Sequence, residues 1–277
     1  MLEPSRKFRF TCSPEHDGGV QMELEWTAAV GLFEEPAHYT RAFGRVISEG
    51  TRLVQTGLWE GHIVVDGQTF DVNHEGWSGA RDRAWGVRAI GLEREPDGIM
   101  QAHRDEVHRE RAALWIWSPM QFDDYSIHFA IGENAEGRRA VDTVRRMPSI
   151  ESGLDVEVLR GAEHDLKFHP ETREFVSGSV SWEEIDGSVT SVEMTPVARG
   201  WMRAGTGYGG PDAWRHGKYM GEMWSDSVSY DTTDLSLTQR LGPTHVVCRM
   251  ESSNGDQGMG LFETQVYGAY PRYGFDR

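Results

Sequence analysis

Hydrophobic and polar residues alternate one by one along much of this chain. Val20, Met22, Leu24 and Trp26 are interleaved with Gln21, Glu23 and Glu25, the two-residue period of a strand with one buried face. The pattern recurs at Tyr125, Ile127, Phe129 and Ile131, at Val176, Gly178, Val180 and Trp182, and at Thr190, Val192 and Met194. Further strands are expected over 53–58, 61–65, 68–72, 85–93, 112–118, 154–159, 218–223, 235–240, 244–250 and 261–267. Asp66-Gly67 and Asp186-Gly187 stand between such runs, where a two-residue Asp-Gly turn supplies the positive φ of a hairpin. Helical spacing is scarce, and only 34–46 and 141–147 are expected as helices. Many strands at short spacing predict an all-β protein built from antiparallel barrels or sandwiches.

The segment from Gly61 through the Asp66-Gly67 turn to Val72 resembles that from Gly178 through Asp186-Gly187, and each is followed by a Gly-Trp pair, Gly76-Trp77 and Gly200-Trp201. This repeat predicts two β modules, 1–145 and 146–277, divided in the polar stretch around 138–152. The length of 277 residues buries a sufficient core without a disulfide or metal staple.

Charge narrows the partners. Lys+Arg is 28 against 44 for Asp+Glu, a net charge of −16. A phosphate-tracking nucleic-acid binder shows a basic stripe, and an anionic lipid surface selects one too, so neither partner is expected. No apolar run approaches the roughly 18–20 residues of a membrane span, and Met1–Phe8 lacks the apolar core of a signal peptide. A soluble, cytoplasmic protein is expected. The two cysteines, Cys12 and Cys248, form neither a CxxC nor a zinc spacing, which suits a reducing compartment.

The densest chemistry is the run from Gly79 to Arg88, which contains Arg81, Asp82, Arg83 and Trp85. In an extended strand Arg81, Arg83 and Trp85 share one face and Asp82 takes the other. Two readings follow. In one, Asp82 faces an apolar barrel interior, and burial raises its pKa so that it serves as a general acid. In the other, an arginine partner lowers the pKa and Asp82 is a structural anchor. His74 precedes this run and sits near it. His103 and His108 match no metal motif, and His128 lies on the polar side of its strand. The glycines of 205–210 lack the βαβ context of a dinucleotide loop, and neither a Walker loop nor a GxSxG elbow is present. The tryptophans Trp115, Trp117, Trp201, Trp214 and Trp224 are candidates either for core filling or for the wall of an aromatic-lined pocket.

The run Arg81-Asp82-Arg83-Ala84-Trp85-Gly86 resembles the Asp-His/Arg-x-Trp-Gly motif of the carotenoid hydratase-like superfamily, which also includes lipocalin-fold Diels–Alderases. The approach from Gly57 to Gly79 is similar, and His245 with Gly258-Met-Gly260-Leu-Phe-Glu263 resembles the late His and Gly-x-Gly-x-x-Glu segment of that superfamily. Arg83 stands where the hydratases carry His. The resemblance implies two tandem lipocalin-like barrels. It also implies a cofactor-free, metal-free enzyme that hydrates, dehydrates or cyclises an apolar alkene such as a terpenoid, polyene or polycycle. Asp82 is the implied proton donor, with Glu263 or His245 orienting water or collecting the proton. The expected ligand contacts are Trp85, Arg83, Arg88, His74, Trp115, Trp117, Trp201 and Trp224. The alternative is a non-catalytic carrier for the same hydrophobic small molecules, and a homodimer is left open. An enzyme needs a carboxylate or histidine facing the main pocket, whereas a carrier needs only shape.

Overall fold

The computed structural model describes residues 1–13, 19–42, 45–87, 113–208, 214, 218–222, 224, 226 and 228–276. The N-terminal part is one antiparallel sheet of seven strands, β1 (Lys7–Cys12), β2 (Gln21–Ala28), β3 (Phe33–Glu34), β4 (His38–Ala42), β5 (Arg45–Val65), β6 (Gln68–Val72) and β7 (Ser78–Val87). The 21-residue β5 is its axis: β4, β3 and β2 pair along one edge, and β7 and β6 along the other. The C-terminal part is a closed antiparallel barrel of eight strands. These are β8 (Leu114–Gln121), β9 (Tyr125–Glu133), β10 (Arg139–Pro148), β11 (Glu157–Phe168), β12 (Phe175–Glu183), β13 (Val189–Trp201), β14 (Thr244–Ser252) and β15 (Gln257–Val266), with β15 returning to β8. The protein is therefore all-β, with two antiparallel modules in tandem.

The barrel's first strand begins at Leu114 and the sheet's last described strand ends at Val87, so the division expected at 145/146 falls inside β10. Both expected helices are strands: 34–46 spans β4 and the start of β5, which fold onto each other as a hairpin, and 141–147 lies in β10, paired with β9. In each case pairing with a neighbouring strand overrides a local spacing that looks helical. Conversely, the strand expected over 235–240 is the helix α1 (Leu235–Leu241). Its N-cap is Asp234, whose Oδ1 accepts from the N–H groups of Ser236 and Leu237 at 2.9 and 3.3 Å. Residues 218–222 have no regular structure, and 88–93 lie outside the described residues.

The two Asp-Gly turns diverge. Asp66 and Gly67 both have positive φ (50° and 76°) and join Val65 to its partner Gln68, a two-residue hairpin loop. At 186–187 the last paired residues are Glu183 and Val189, so the loop is longer, and Asp186 is used to accept the Ser188 N–H at 2.9 Å. The repeat nevertheless has a physical basis. Gly61 and Gly178 adopt φ of 131° and 149°, and a Cβ there would lie 2.1 Å from the Glu23 carbonyl oxygen and 2.3 Å from that of Asp165. Each glycine is thus required where the adjacent strand crosses tightly, beside Leu24 in one module and Leu166 in the other.

Alternation along β8 sorts its side chains. Leu114, Ile116 and Met120 point into the barrel, where they join Phe129, Phe175, Trp182 and Phe262 in a fully buried core. Trp115 and Trp117 point outward, toward the N-terminal sheet, and Trp117 packs with Val30, Phe33 and Val54 between the modules.

One end of the barrel holds a buried polar cluster. Glu133 accepts from Tyr270 and, at 3.1 Å, from Arg139 Nε, while His164 lies 3.3 Å from Glu133 and 2.5 Å from the Tyr273 hydroxyl. Burial, with the charge of Arg272, pushes the His164 imidazole down to about 4. An unfolded histidine titrates near 6.5, so between about pH 6.5 and 4 the unfolded chain binds the proton that the folded one refuses. Stability should therefore fall by roughly 2–3 kcal/mol as pH drops through that window. Urea unfolding midpoints measured across it check this, and a His164→Gln variant should lose most of the slope.

Candidate functional site

A cavity of about 840 Å³ lies between the outer face of the barrel and the facing surface of the N-terminal sheet. The barrel side supplies Trp115, Trp117, His245, Leu261, Glu263 and Gln265, the outward-pointing residues of β8, β14 and β15. The sheet side supplies Arg52 from β5 with Ala80 and Asp82 from β7, and residues 200–208 close one flank with Trp201, Arg203 and Tyr208. A second chamber of about 240 Å³, walled by Thr56, Ser78, Pro119 and Val247, shares Ala80 and Leu261 with the first.

Strand register builds the reactive row. His245 is directly opposite Glu263 across β14 and β15, and Glu263 is opposite Trp117 across β15 and β8. On one pleat face such cross-strand pairs touch. Nε2 of His245 accordingly lies 2.8 Å from Glu263 Oε2, and the other oxygen, Oε1, accepts the Trp115 indole N–H at 2.9 Å. One carboxylate thus fixes both an imidazole and an aromatic wall.

The other two indoles are held the same way. Trp201 Nε1 donates to Glu174 Oε1 at 2.9 Å, and Arg199 pairs with the second oxygen of Glu174 at 3.0 Å. Trp117 Nε1 donates to Glu35 Oε1 at 2.6 Å. Glu35 is buried between the modules, with His128 at 3.2 Å, His38 at 3.5 Å and Arg52 at 3.7 Å. Burial alone would raise its carboxyl, but the close imidazoles of His128 and His38 and the charge of Arg52 outweigh it and hold Glu35 well below the usual carboxylate range. Arg52 reaches forward as well, placing Nε 3.5 Å from Asp82 Oδ1. Each indole N–H of the described wall is therefore committed to a protein carboxylate, and the rings offer the cavity their faces and edges.

Of the residues expected from the sequence, Asp82, His245, Glu263, Trp115, Trp117 and Trp201 line this one cavity. It lies outside the closed barrel, whose interior carries the Phe129, Phe175 and Phe262 core. Asp82 faces it, while Arg81 lies over the Phe8 ring on the opposite face, 5.5 Å from its centroid, as alternation requires. Arg83 and Trp85 are exposed and stack on each other at 5.7 Å; His74 pairs with Glu60 at 3.5 Å; Trp224 sits against Trp214 at 6.0 Å; none of these is in the lining. Arg88 lies outside the described residues. Arg52, Glu35 and Arg203 were not anticipated. For Arg52 a signal existed, because Arg52, Val54 and Thr56 share the pleat face that is opposite Asp82 and its neighbours. Among the described residues no group of three or more His, Cys, Asp or Glu is placed to hold a metal ion, and no helix is long and apolar enough to cross a membrane.

A closed eight-stranded antiparallel barrel with an antiparallel sheet against its outer face defines a lipocalin-like barrel fold. The chain belongs to the DUF8625 family, described as a family of unknown function, whose model matches residues 1–276. Among solved structures it is similar to a Nitrosomonas europaea protein described as a candidate AttH, at 13% identity and a TM-score of 0.53. That match covers 96% of this chain and 66% of the other, so the chain spans just under two thirds of that protein. No curated protein matches the chain.

Proposed function

We propose that the cavity binds an unsaturated, largely apolar small molecule and performs cofactor-free proton-transfer chemistry on it, by hydration, dehydration or cyclisation at a carbon–carbon double bond. The observation that carries this reading is the His245–Glu263 pair, 2.8 Å apart on a wall of clamped tryptophans. A histidine oriented by a carboxylate is a group that gives and takes protons near neutral pH. In the hydration direction His245 delivers its proton to one alkene carbon, water adds to the resulting cation, and the proton lost by that water returns to the imidazole. Indole faces and the Asp82 carboxylate offset the transient positive charge. Asp82 is engaged by Arg52 at 3.5 Å, so this reading gives the proton to His245 and leaves Asp82 to orient water. The motif resemblance of 81–88 and 258–263 supports the same chemistry.

The test incubates the protein with acyclic terpenoid and polyene alkenes and follows mass gain by one water, shifted in heavy-oxygen water. Quenching of tryptophan fluorescence by retinol reports binding in parallel. Conversion supports the enzyme; quenching without conversion of any alkene supports the carrier reading; neither signal overturns both.

A further inference from the structure

Among the described residues three basic side chains line the main cavity: Arg52, His245 and Arg203. Two are matched by carboxylates. Arg52 lies between Asp82 and Glu35 at 3.5 and 3.7 Å, and His245 faces Glu263 at 2.8 Å. Those contacts occupy both acidic groups of the described lining, Asp82 and Glu263. Arg203 has no carboxylate within 4.0 Å among the described residues, in a chain with 44 acidic against 28 basic residues. Its backbone is fixed: its N–H donates to the Leu241 carbonyl at 2.9 Å, and those of Met202 and Ala204 donate to Pro243 and Trp201 at 2.9 and 3.1 Å. Arg203, half-buried and lining a cavity whose described acids are engaged, is a site for an anion brought by the ligand.

We infer that the ligand of this cavity carries an acidic head group, a carboxylate or its equivalent, which Arg203 receives while the unsaturated body lies along Trp115 and Trp117. The inference rests on the proposed reading of the cavity as a small-molecule site and adds the polar end of that molecule. Guanidinium suits this role because its planar fork matches a carboxylate with two parallel hydrogen bonds.

The experiment compares two probes with one polyene body, all-trans retinoic acid and all-trans retinol, by tryptophan-fluorescence titration of the whole chain. The protein should bind the acid about tenfold more tightly than the alcohol, the scale of one charge-assisted pair. Arg203→Gln should abolish that preference by weakening retinoic acid binding about tenfold, and Arg203→Lys should retain part of it. Circular dichroism and melting of the variants confirm that they fold. Equal affinity for both probes, or an unchanged preference in Arg203→Gln, would overturn the acidic-ligand inference and leave the cavity reading standing. If neither probe binds, the cavity reading fails and the inference fails with it.

Discussion

Replacing His245 with Gln is expected to lower turnover by about 10²–10⁴-fold while leaving retinol quenching nearly unchanged. The amide keeps the size of the side chain and offers a donor to Glu263, but it neither gives nor takes a proton at neutral pH. His245 is one-third exposed and sits at the cavity edge, so its loss removes little packing. A fall in kcat with a preserved dissociation constant isolates the proton-transfer role. Glu263→Gln should cost less than His245→Gln, because it disturbs the orientation and charge of the imidazole without removing it. Asp82→Asn is informative by comparison. If it abolishes turnover while His245→Gln does not, the proton donor is Asp82 and the assignment made above is wrong.

Glu35→Ala is expected to cost about 3–5 kcal/mol of stability, the scale for removing one member of a buried ionic cluster. Glu35 is 5% exposed and His128 is fully buried, so solvent has little access to replace the lost carboxylate. The Trp117 indole N–H would lose its acceptor, and Arg52 would keep only Asp82. Glu35→Gln should cost less, because an amide oxygen still accepts from Trp117. Its carboxyl is depressed, so the stabilisation is present above the unfolded pKa near 4.5 and is lost only as pH falls through the lower folded value. Chemical denaturation at neutral pH and at about pH 5 should therefore show the same penalty for Glu35→Ala. A penalty under about 1 kcal/mol would mean that the cluster does not join the two modules.

The alternating strands were plain in the sequence: β2, β9 and β12 sit where alternation put them. Strands paired inside a sheet lose that signature when both faces are covered, as in β10 around Met147, where the barrel packs on the sheet. That is why 141–147 resembled a helix. The opposite error at α1 arose because Leu235 and Leu237 alternate, although Asp234 ahead of them is a helix cap. For the site, motif resemblance singled out Asp82, His245 and Glu263, and register brought the last two together. Glu35 was invisible because its significance comes from contacts between modules, and no local period encodes which face of a barrel another sheet will cover; Arg52 became readable only through the pairing of β5 with β7, and Arg203 lies in irregular chain after β13.

The closing of β15 onto β8 carries a consequence for biosynthesis. Val266 pairs with Leu114 and Glu263 with Trp117, so the ring is sealed by partners some 150 residues apart. As the polypeptide leaves the ribosome, seven of the eight staves can assemble in order, yet β8 presents a bare edge until the eighth emerges. Glu263 and Gln265 arrive with that final stave, so the row that aligns His245 is the last part of the barrel to exist. A stalled chain ending before Gln257 would carry Asp82 and Trp115 but a β8 with one edge bare, a template for pairing with another nascent copy.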